Sequence, residues 1–262
     1  MFKQIKIYNE NRLTRQPFFK LLIAFLMANE DVNLRQIHRA FDAVEENLDR
    51  QLDKYIKAGL IIRQDRRYRL GGQIFGDDDI DWSALTSQPA QRNYFVQPFF
   101  VRADSHLAQR LDETYVYQEL RNETNSVVLH LTSRFDCETD TLANYFFKIS
   151  ENLNLSPLER EVYQIMGDAD PEYVLKYMTT FLLKFKNKKV VKKHPDIFVR
   201  VLEKYGYINA SSENEFTTHI VFSEQEIPRV DFDDAEMFIK AQLTQQTNIN
   251  NFISLDEATN LD

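Results

Sequence analysis

The sequence predicts an α+β protein that is mostly helical, with a small N-terminal domain followed by a larger helical domain with a few strands. Three observations lead to this prediction. Apolar residues recur every three to four positions in several segments, which is the spacing of a helix buried on one face. Twenty Phe and twelve Tyr stand against only six Gly, which favours packed helices over loops. Alternation typical of strands is confined to short stretches.

Two helices are expected near the start of the chain. Pro17 precedes an apolar run that continues to Met27. Proline is tolerated in the first turn of a helix, where its missing N–H would have had no partner. Asn33 and Gln36 have the spacing of a capping box, in which each side chain bonds the backbone of the other. This box is predicted to open the second helix.

A third helix is expected over residues 45–58, and Gly59 fits its C-terminal end. The apolar face of this helix follows the helical period. Its members are Val44, Leu48, Leu52, Tyr55 and Ile56.

A β-hairpin is expected after the third helix, because the period changes from helical to two. Residues 60–62 and 68–70 alternate apolar and polar side chains, and residues 64–66 interrupt the alternation as a turn. The same alternation places Arg67 and Arg69 on one exposed side.

Composition suggests four segments. Residues 1–75 form the N-terminal domain, 76–92 an acidic linker and 93–246 a mostly helical α+β domain. The Asn/Gln/Thr-rich residues 247–262 are expected to be disordered.

Within the larger domain, the pattern predicts strands over 93–101, 126–134 and 216–222. It also predicts helices that begin near Ser105, Asp140, Ser156, Asp170, Pro195 and Asp234.

Residues 16–70 resemble a winged helix-turn-helix domain, because three helices and an Arg-rich hairpin follow one another in that family's order. The resemblance implies that helix 45–58 enters the major groove of double-stranded DNA. It also implies that the hairpin is the wing and lies along phosphates, which supply affinity without sequence choice. The wing cations are Arg63, Arg66, Arg67 and Arg69.

Base contacts would come from Arg50 to guanine and from Asn47 or Gln51 to adenine, with Arg35 as a further candidate contact on the second helix. Four acidic residues interrupt this helix, which departs from a typical DNA-reading surface. The alternative is a solvated face with ion pairs four residues apart. The acidic residues are Glu45, Glu46, Asp49 and Asp53.

A partial internal repeat suggests a second winged-helix-like unit at 171–223. Residues 50–55 recur as 200–205 in similar form, and a short helix is expected over 190–194. Six lysines stand between 184 and 193 without an acidic residue. They are candidate phosphate contacts or, alternatively, a solvated helix end favoured by the helix dipole. The candidate contacts are Lys188, Lys189, Lys192 and Lys193.

Segments 13–20 and 49–61 also resemble an uncharacterised protein family of lactic-acid bacteria. This resemblance covers the front quarter of the chain. It implies a source and a compartment, and no activity follows from it.

Charge and cysteine content narrow the class of protein. The net charge of −8 divides into about +5 over residues 1–75 and about −13 over the rest, which suits a polyanion binder with a basic front. No apolar run approaches the ~20 residues of a membrane span, and Cys137 is the one cysteine. We therefore expect a cytoplasmic protein that does not enter a membrane.

Patterns of enzyme chemistry are absent from the sequence. The five histidines are scattered, each more typical of a surface or partly packed residue than of a zinc ligand, and no glycine-rich phosphate loop occurs. We expect no catalytic residue, no metal and no cofactor. The predicted function is non-enzymatic DNA binding in transcription regulation, with a homodimer as an option. The alternative is an interaction scaffold that docks a protein partner, and a hydrolase or transferase is a third class.

Overall fold

The computed structural model of the protein describes residues 5–122, 124–245 and 250–255. Over these residues the chain is an α+β protein with 39% helix and 25% strand, the strands forming five small sheets. The prediction of a mostly helical protein is therefore wrong. Most strands have only two to five residues, too few for a period of two to stand out in the sequence.

The elements follow one another along the described chain. The helices are α1 (Pro17–Ala28), α2 (Leu34–Phe41), α3 (Leu48–Lys57), α4 (His106–Asp112), α5 (Leu142–Ser150), α6 (Pro157–Met166), α7 (Pro171–Leu183), α8 (Ile197–Lys204) and α9 (Ala235–Thr244). The strands are β1 (Ile5–Tyr8), β2 (Val32–Asn33), β3 (Ile61–Gln64), β4 (Arg67–Leu70), β5 (Ile74–Phe75), β6 (Arg92–Tyr94), β7 (Phe99–Arg102), β8 (Tyr115–Asn122), β9 (Val127–Arg134), β10 (Val191–Lys192), β11 (Ile208–Ser212), β12 (Glu215–Thr218), β13 (Val221–Phe222), β14 (Arg229–Asp231) and β15 (Phe252–Leu255).

The chain forms two compact units, and neither is continuous in sequence. Unit 1 takes in the chain up to Thr86 together with Tyr94–Asp112 and Asp231–Thr244. Unit 2 takes in Ser87–Asn93, Glu113–Val230 and the chain from Gln245. The units therefore differ from the contiguous segments expected at 1–75 and 93–246.

Unit 1 contains two three-stranded sheets. The hairpin β3–β4 is extended by β2 to the order β2-β4-β3, and the other sheet has the order β1-β7-β5. Helices α1 to α3 pack on these strands through side chains that are almost fully buried, since burial of apolar surface is the main stabilising contribution to folding. Phe19, Leu22, Tyr55 and Phe100 belong to this core.

Two helix starts in the chain are capped by reciprocal hydrogen bonds. Asn33 Oδ1 accepts a hydrogen bond from the Gln36 N–H at 3.0 Å, and Gln36 Oε1 accepts one from the Asn33 N–H at 2.8 Å. Ser156 and Glu159 form the same reciprocal box at the start of α6. The predicted box at Asn33 and the predicted helix start near Ser156 are confirmed.

The acidic segment after β5 is folded into unit 1 rather than being a free linker. The Asp77 carboxylate accepts hydrogen bonds from the backbone N–H groups of His106 and Leu107, at 3.2 and 2.7 Å, at the start of α4. Asp79 accepts from the Gly76 N–H at 2.7 Å. The expected linker over 76–92 therefore contributes helix capping in its first residues, because carboxylates satisfy N–H groups that a helix start leaves without partners.

Unit 2 is built on the four-stranded sheet β13-β15-β9-β8, in which β8, β9 and β15 are antiparallel and β13 is parallel to β15. Helices α5 to α8 complete its core. Leu129, Phe181 and Leu202 are among the buried residues of this core.

A second three-stranded sheet in unit 2, of order β10-β12-β11, follows α7 and α8. The short helix expected over 190–194 is instead strand β10, so this prediction is wrong. Val191 is buried and pairs with Phe216. Pro195 disfavours helical backbone at the residue before it, which explains why no helix forms there.

Part of the predicted disordered tail is a strand. Phe252–Leu255 pairs with β9 in the sheet of unit 2, and Phe252 and Ile253 are buried. The predicted tail spans 247–262, and its residues 247–249 and 256–262 lie outside the described residues. Among the described helices, none combines the length and the apolar character needed to cross a membrane.

Candidate nucleic-acid interface

The hairpin β3–β4 presents its arginines in a fixed register. Arg69 pairs with Ile62 and Arg67 with Gln64, so these four side chains share one face of the hairpin. Arg67 and Arg69 are both exposed, as the alternation predicted. Tyr68 points to the opposite face and is buried in the core of unit 1. The buried Tyr thus fixes which way its arginine neighbours face.

The turn of the hairpin holds Arg66 at its tip. Asp65 and Arg66 have φ angles of 50° and 63°, the left-handed backbone of a tight two-residue hairpin turn. Arg66 is exposed and makes no ion pair within the part of the chain that the structure describes. Its guanidinium is available for an external anion.

Two of the other three hairpin arginines contact neighbouring residues. Arg67 Nε lies 3.0 Å from Asp31 Oδ1, and its Nη1 donates to the Asp31 carbonyl oxygen at 2.9 Å. Arg63 lies on the face opposite to Arg67 and Arg69, with its guanidinium 5.7 Å from the centroid of the Tyr68 ring. The four arginines therefore do not form one row: Arg67 and Arg69 share a face, Arg66 lies in the turn, and Arg63 is on the opposite face.

Helix α3 begins at Leu48 rather than at residue 45, which changes the expected reading surface. Asn47 is the N-cap residue, with φ −118° and ψ 44°, so it precedes the helix instead of lying on its face. Arg50 is exposed, and Gln51 is partly buried and accepts from Lys54 Nζ at 3.3 Å. Of the predicted base contacts, Arg50 is exposed on the helix itself, Asn47 is exposed before it, and Gln51 is partly buried.

An acidic cluster occupies the junction of α2 and α3. His38 Nδ1 lies 2.6 Å from Asp42 Oδ1, and His38 Nε2 lies 3.0 Å from Asp49 Oδ1. The hydrogen bond to Asp42 is the main cause of a raised pKa for His38; burial opposes it, and the hydrogen bond to Asp49 adds to the rise. The candidate contact Arg35 is exposed on the same helix α2. The acids at this junction oppose a close approach of phosphates.

The candidate lysines belong to unit 2 and are not equivalent. Lys192 Nζ lies 2.7 Å from Glu215 Oε1, and this contact raises the lysine's pKa. Lys193 Nζ lies 2.6 Å from Asp196 Oδ2. Lys188 and Lys189 are exposed. Two of the four lysines are thus already paired with acids, which weakens the predicted phosphate surface.

Sequence reasoning missed one polar cluster in unit 2. His130, expected at the surface or partly packed, is only 9% exposed and contacts Glu119 and Ser254. The three residues lie on β8, β9 and β15, far apart in the sequence. The alternation of β9 could have placed His130 on a defined face, but no pattern in the sequence indicates which strands flank it.

Metal-binding chemistry is limited in the described chain. Over residues 5–122, 124–245 and 250–255, no group of three or more His, Cys, Asp or Glu side chains is placed to hold a metal ion.

The comparisons with known proteins concern the N-terminal part of the chain. No curated protein and no solved structure matches the sequence. Residues 5–114 match the family model of a domain of unknown function (DUF1803), from β1 to just beyond α4. The match covers less than half of the chain and is compatible with the resemblance to an uncharacterised bacterial family. The N-terminal region, including the Arg-rich hairpin, is therefore similar to an uncharacterised domain family.

Proposed function

We propose that the protein binds double-stranded DNA through the N-terminal helices and hairpin of unit 1 and thereby regulates transcription. The binding at this interface is non-enzymatic. The observation that carries the proposal is the placement of Arg66, Arg67 and Arg69 at the tip and on one exposed face of the hairpin β3–β4. The order α1-β2-α2-α3-β3-β4, with the sheet order β2-β4-β3, supports the proposal because it resembles the order of a winged helix-turn-helix domain. In this proposal the hairpin takes the role of the wing.

Phosphate contact by the hairpin is the main source of affinity in this proposal. Arginine binds phosphate oxygens through two parallel N–H bonds, which gives both affinity and orientation. The ion pair of Arg67 with Asp31 is exposed. Exposed pairs contribute only about 0–1 kcal/mol, so a phosphate can replace Asp31 at little cost.

Helix α3 contributes less than the hairpin. Arg50 is exposed, and an arginine side chain can bond the edge of a guanine through two hydrogen bonds. Asp49 and Asp53 are exposed on the same helix and repel the DNA backbone. We therefore expect weak sequence choice and a binding energy that depends strongly on salt.

The test is a salt titration of binding to a mixed-sequence DNA duplex, measured by fluorescence anisotropy. Replacing Arg66, Arg67 and Arg69 by Ala should lower the affinity at low salt. It should also reduce the slope of log K against log salt by about one for each phosphate that the variant no longer binds.

The matched control removes three exposed cations from unit 2, by changing Arg160, Lys176 and Arg200 to Ala. Both triple variants alter the net charge equally, so a difference between them reports position rather than charge. Thermal unfolding of each variant checks that the fold is retained. Equal salt slopes for the wild type and the hairpin variant would show that the hairpin arginines do not contact phosphates.

A protein-docking scaffold is the second candidate function, favoured by an exposed aromatic pair on α7. Tyr173 and Tyr177 are 51% and 40% exposed, and their ring centroids lie 4.6 Å apart. Tyrosine is enriched at protein interfaces. A chain that shows no binding to the duplex at moderate salt supports the scaffold over DNA binding.

A further inference from the structure

A cleft in unit 2 opens onto one face of the sheet β13-β15-β9-β8. Its volume is about 1090 Å³, enough for a small organic ligand. Glu119 of β8 is directly paired with His130 of β9, and His130 is paired with Phe252 of β15. Ser254 lies two residues after Phe252, so its side chain is on the same face. The pairing of the strands thus brings an acid, an imidazole and a hydroxyl to one wall of the cleft.

The contacts among these three side chains have a defined order: one is a hydrogen bond, between Ser254 and His130, and the other is a charge contact between Glu119 and His130. Ser254 Oγ lies 2.7 Å from His130 Nε2, and Glu119 Oε1 lies 3.4 Å from His130 Nδ1. The imidazole ring stacks on Phe252, with centroids 4.0 Å apart and planes 6° from parallel. The ring is therefore fixed with one nitrogen towards the hydroxyl and the other towards the carboxylate, as in a Ser–His–acid triad.

The surroundings suit His130 to accept a proton. Burial is the largest effect on its pKa and lowers it, while Glu119 opposes this shift and Arg92 and Arg121 add to it. A lowered pKa keeps the imidazole neutral at neutral pH, which is the form that can remove a proton from a hydroxyl.

Glu119 is held in place by two arginines. The Oε2 atom of Glu119 lies 2.7 Å from Nη1 of Arg92 and 3.0 Å from Nη2 of Arg121. The Glu119 side chain is 10% exposed. Both contacts use the oxygen that does not face His130. Glu119 is therefore a positioning residue for the imidazole.

We propose that Ser254 is the nucleophile of an acyl-transfer site that hydrolyses small carboxylic esters in this cleft, with His130 as its general base. The cleft has apolar lining from Phe222 and Ile227, which suits an apolar acyl group. Arg121 and Lys186 also line it. Positive charge at such a site stabilises the oxyanion that develops on the attacked carbonyl.

The reaction uses water as its second substrate. Ser254 Oγ forms a bond to the carbonyl carbon while its proton passes to His130 Nε2. The bond from that carbon to the alcohol oxygen then breaks, and the alcohol leaves with the proton from His130. Water attacks the acyl-serine by the same route, releasing a carboxylic acid and returning the proton to Ser254 Oγ.

The sequence led to the expectation that the protein has no catalytic residue. The contrary interpretation is that Ser254 only satisfies a hydrogen bond of a buried histidine and that Glu119 only balances its charge. The two interpretations differ in reactivity, because a hydroxyl that serves only as a hydrogen-bond partner is not activated towards an electrophile.

The experiment is covalent labelling of the full chain with an alkyl fluorophosphonate, followed by intact-mass measurement and peptide mapping. We expect one phosphonyl group on Ser254 of the wild type, formed with loss of fluoride. Ser254→Ala should abolish labelling, and His130→Gln should slow it by about 100-fold or more. Ser211→Ala is the matched control, since Ser211 is an exposed serine of β11 that does not line the cleft, and it should be labelled at the wild-type rate.

The pH dependence of labelling tests the role of Glu119. The rate should rise with pH as His130 loses its proton, and Glu119→Gln should move that rise to lower pH because Glu119 raises the imidazole's pKa. A purely structural carboxylate would leave the profile in place. Peptide mapping of the wild type identifies the labelled residue even if a variant fails to fold. An unlabelled wild type, or an adduct on any residue other than Ser254, overturns the proposal.

Discussion

Two regions of the molecule share a backbone plan and differ in surface chemistry. In unit 1 the plan runs from α1 to the hairpin β3–β4, here termed hairpin 1, and in unit 2 from α7 to β11–β12, termed hairpin 2. In both, a short strand joins the hairpin: Val32 pairs with Tyr68, and Val191 pairs with Phe216. The partner residue is buried in each case.

The helix that precedes each hairpin also ends in the same way. Gly59 and Gly206 have φ angles of +71° and +68°. The next N–H bonds back to the helix in both places, from Leu60 to the Tyr55 carbonyl and from Tyr207 to the Leu202 carbonyl, each at 2.9 Å. The structural correspondence is thus offset by 147 residues, whereas the sequence repeat that suggested it is offset by 150.

The two hairpins differ in the charge that they expose. Hairpin 1 carries four arginines and Asp65, whereas hairpin 2 carries Glu213 and Glu215 with serine and threonine neighbours. Unit 1 also has α2 between the short strand and the helix before the hairpin, and unit 2 has no helix at that place. The same backbone plan therefore has different surface chemistry in the two regions. The proposed polyanion binding depends on the side chains of hairpin 1 and does not follow from the backbone plan.

The largest expected difference between the regions concerns the residue after each hairpin. A Cβ added to Gly71 would lie 1.8 Å from the Gly59 carbonyl oxygen. Since backbone must move to relieve this contact, Gly71→Ala should lower the free energy of unfolding by about 2–3 kcal/mol.

The corresponding position after hairpin 2 is His219, which is exposed. His219→Ala should change the free energy of unfolding by less than about 0.5 kcal/mol. Urea denaturation followed by circular dichroism measures both variants. Equal effects of the two substitutions would mean that the close approach in unit 1 is not a constraint on its hairpin.

A smaller effect tests whether the two helix ends are equivalent. Gly59 and Gly206 have left-handed backbone, and a Cβ at either position meets nothing within 4 Å. Alanine at either position should therefore lower the free energy of unfolding only by the cost of left-handed backbone for a residue with a Cβ, about 1 kcal/mol. Urea denaturation of Gly59→Ala and Gly206→Ala should give equal losses, and unequal losses would contradict the structural correspondence.

The sequence predicted those parts of the structure that depend on local chemistry. Helix capping at Asn33 and Ser156 involves residues only three positions apart, and the alternation around Tyr68 involves direct neighbours. The sequence was therefore enough to predict these helix starts and the faces of the hairpin. The sheet of unit 2 depends on strands that are distant along the chain. Strand β15 lies in an Asn/Gln-rich segment and becomes ordered by pairing with β9, which no local pattern encodes.

The same distinction separates the two candidate sites. The arginines of hairpin 1 lie within seven residues of sequence, so their type and spacing were enough to identify them. Glu119, His130 and Ser254 come together only when β8, β9 and β15 pair side by side. Sequence reasoning therefore predicted the surface made by one hairpin and missed the cluster made by three strands.

The smallest expected effect concerns α2, the helix that only unit 1 has between its short strand and the helix before the hairpin. His38 on α2 bridges Asp42 and Asp49, and these hydrogen bonds raise its pKa. A raised folded-state pKa means that protonated His38 stabilises the fold below its unfolded-state pKa. This contribution is lost as the pH rises through the folded-state pKa.

Nuclear magnetic resonance titration of the imidazole protons should therefore give His38 a pKa above that of a free histidine. Asp49→Asn should lower this pKa without returning it fully, because the bond to Asp42, the larger cause, remains. An unshifted pKa for His38 would show that the imidazole does not link α2 to α3 in solution. The acidic junction could then rearrange in the proposed complex of hairpin 1 with a polyanion.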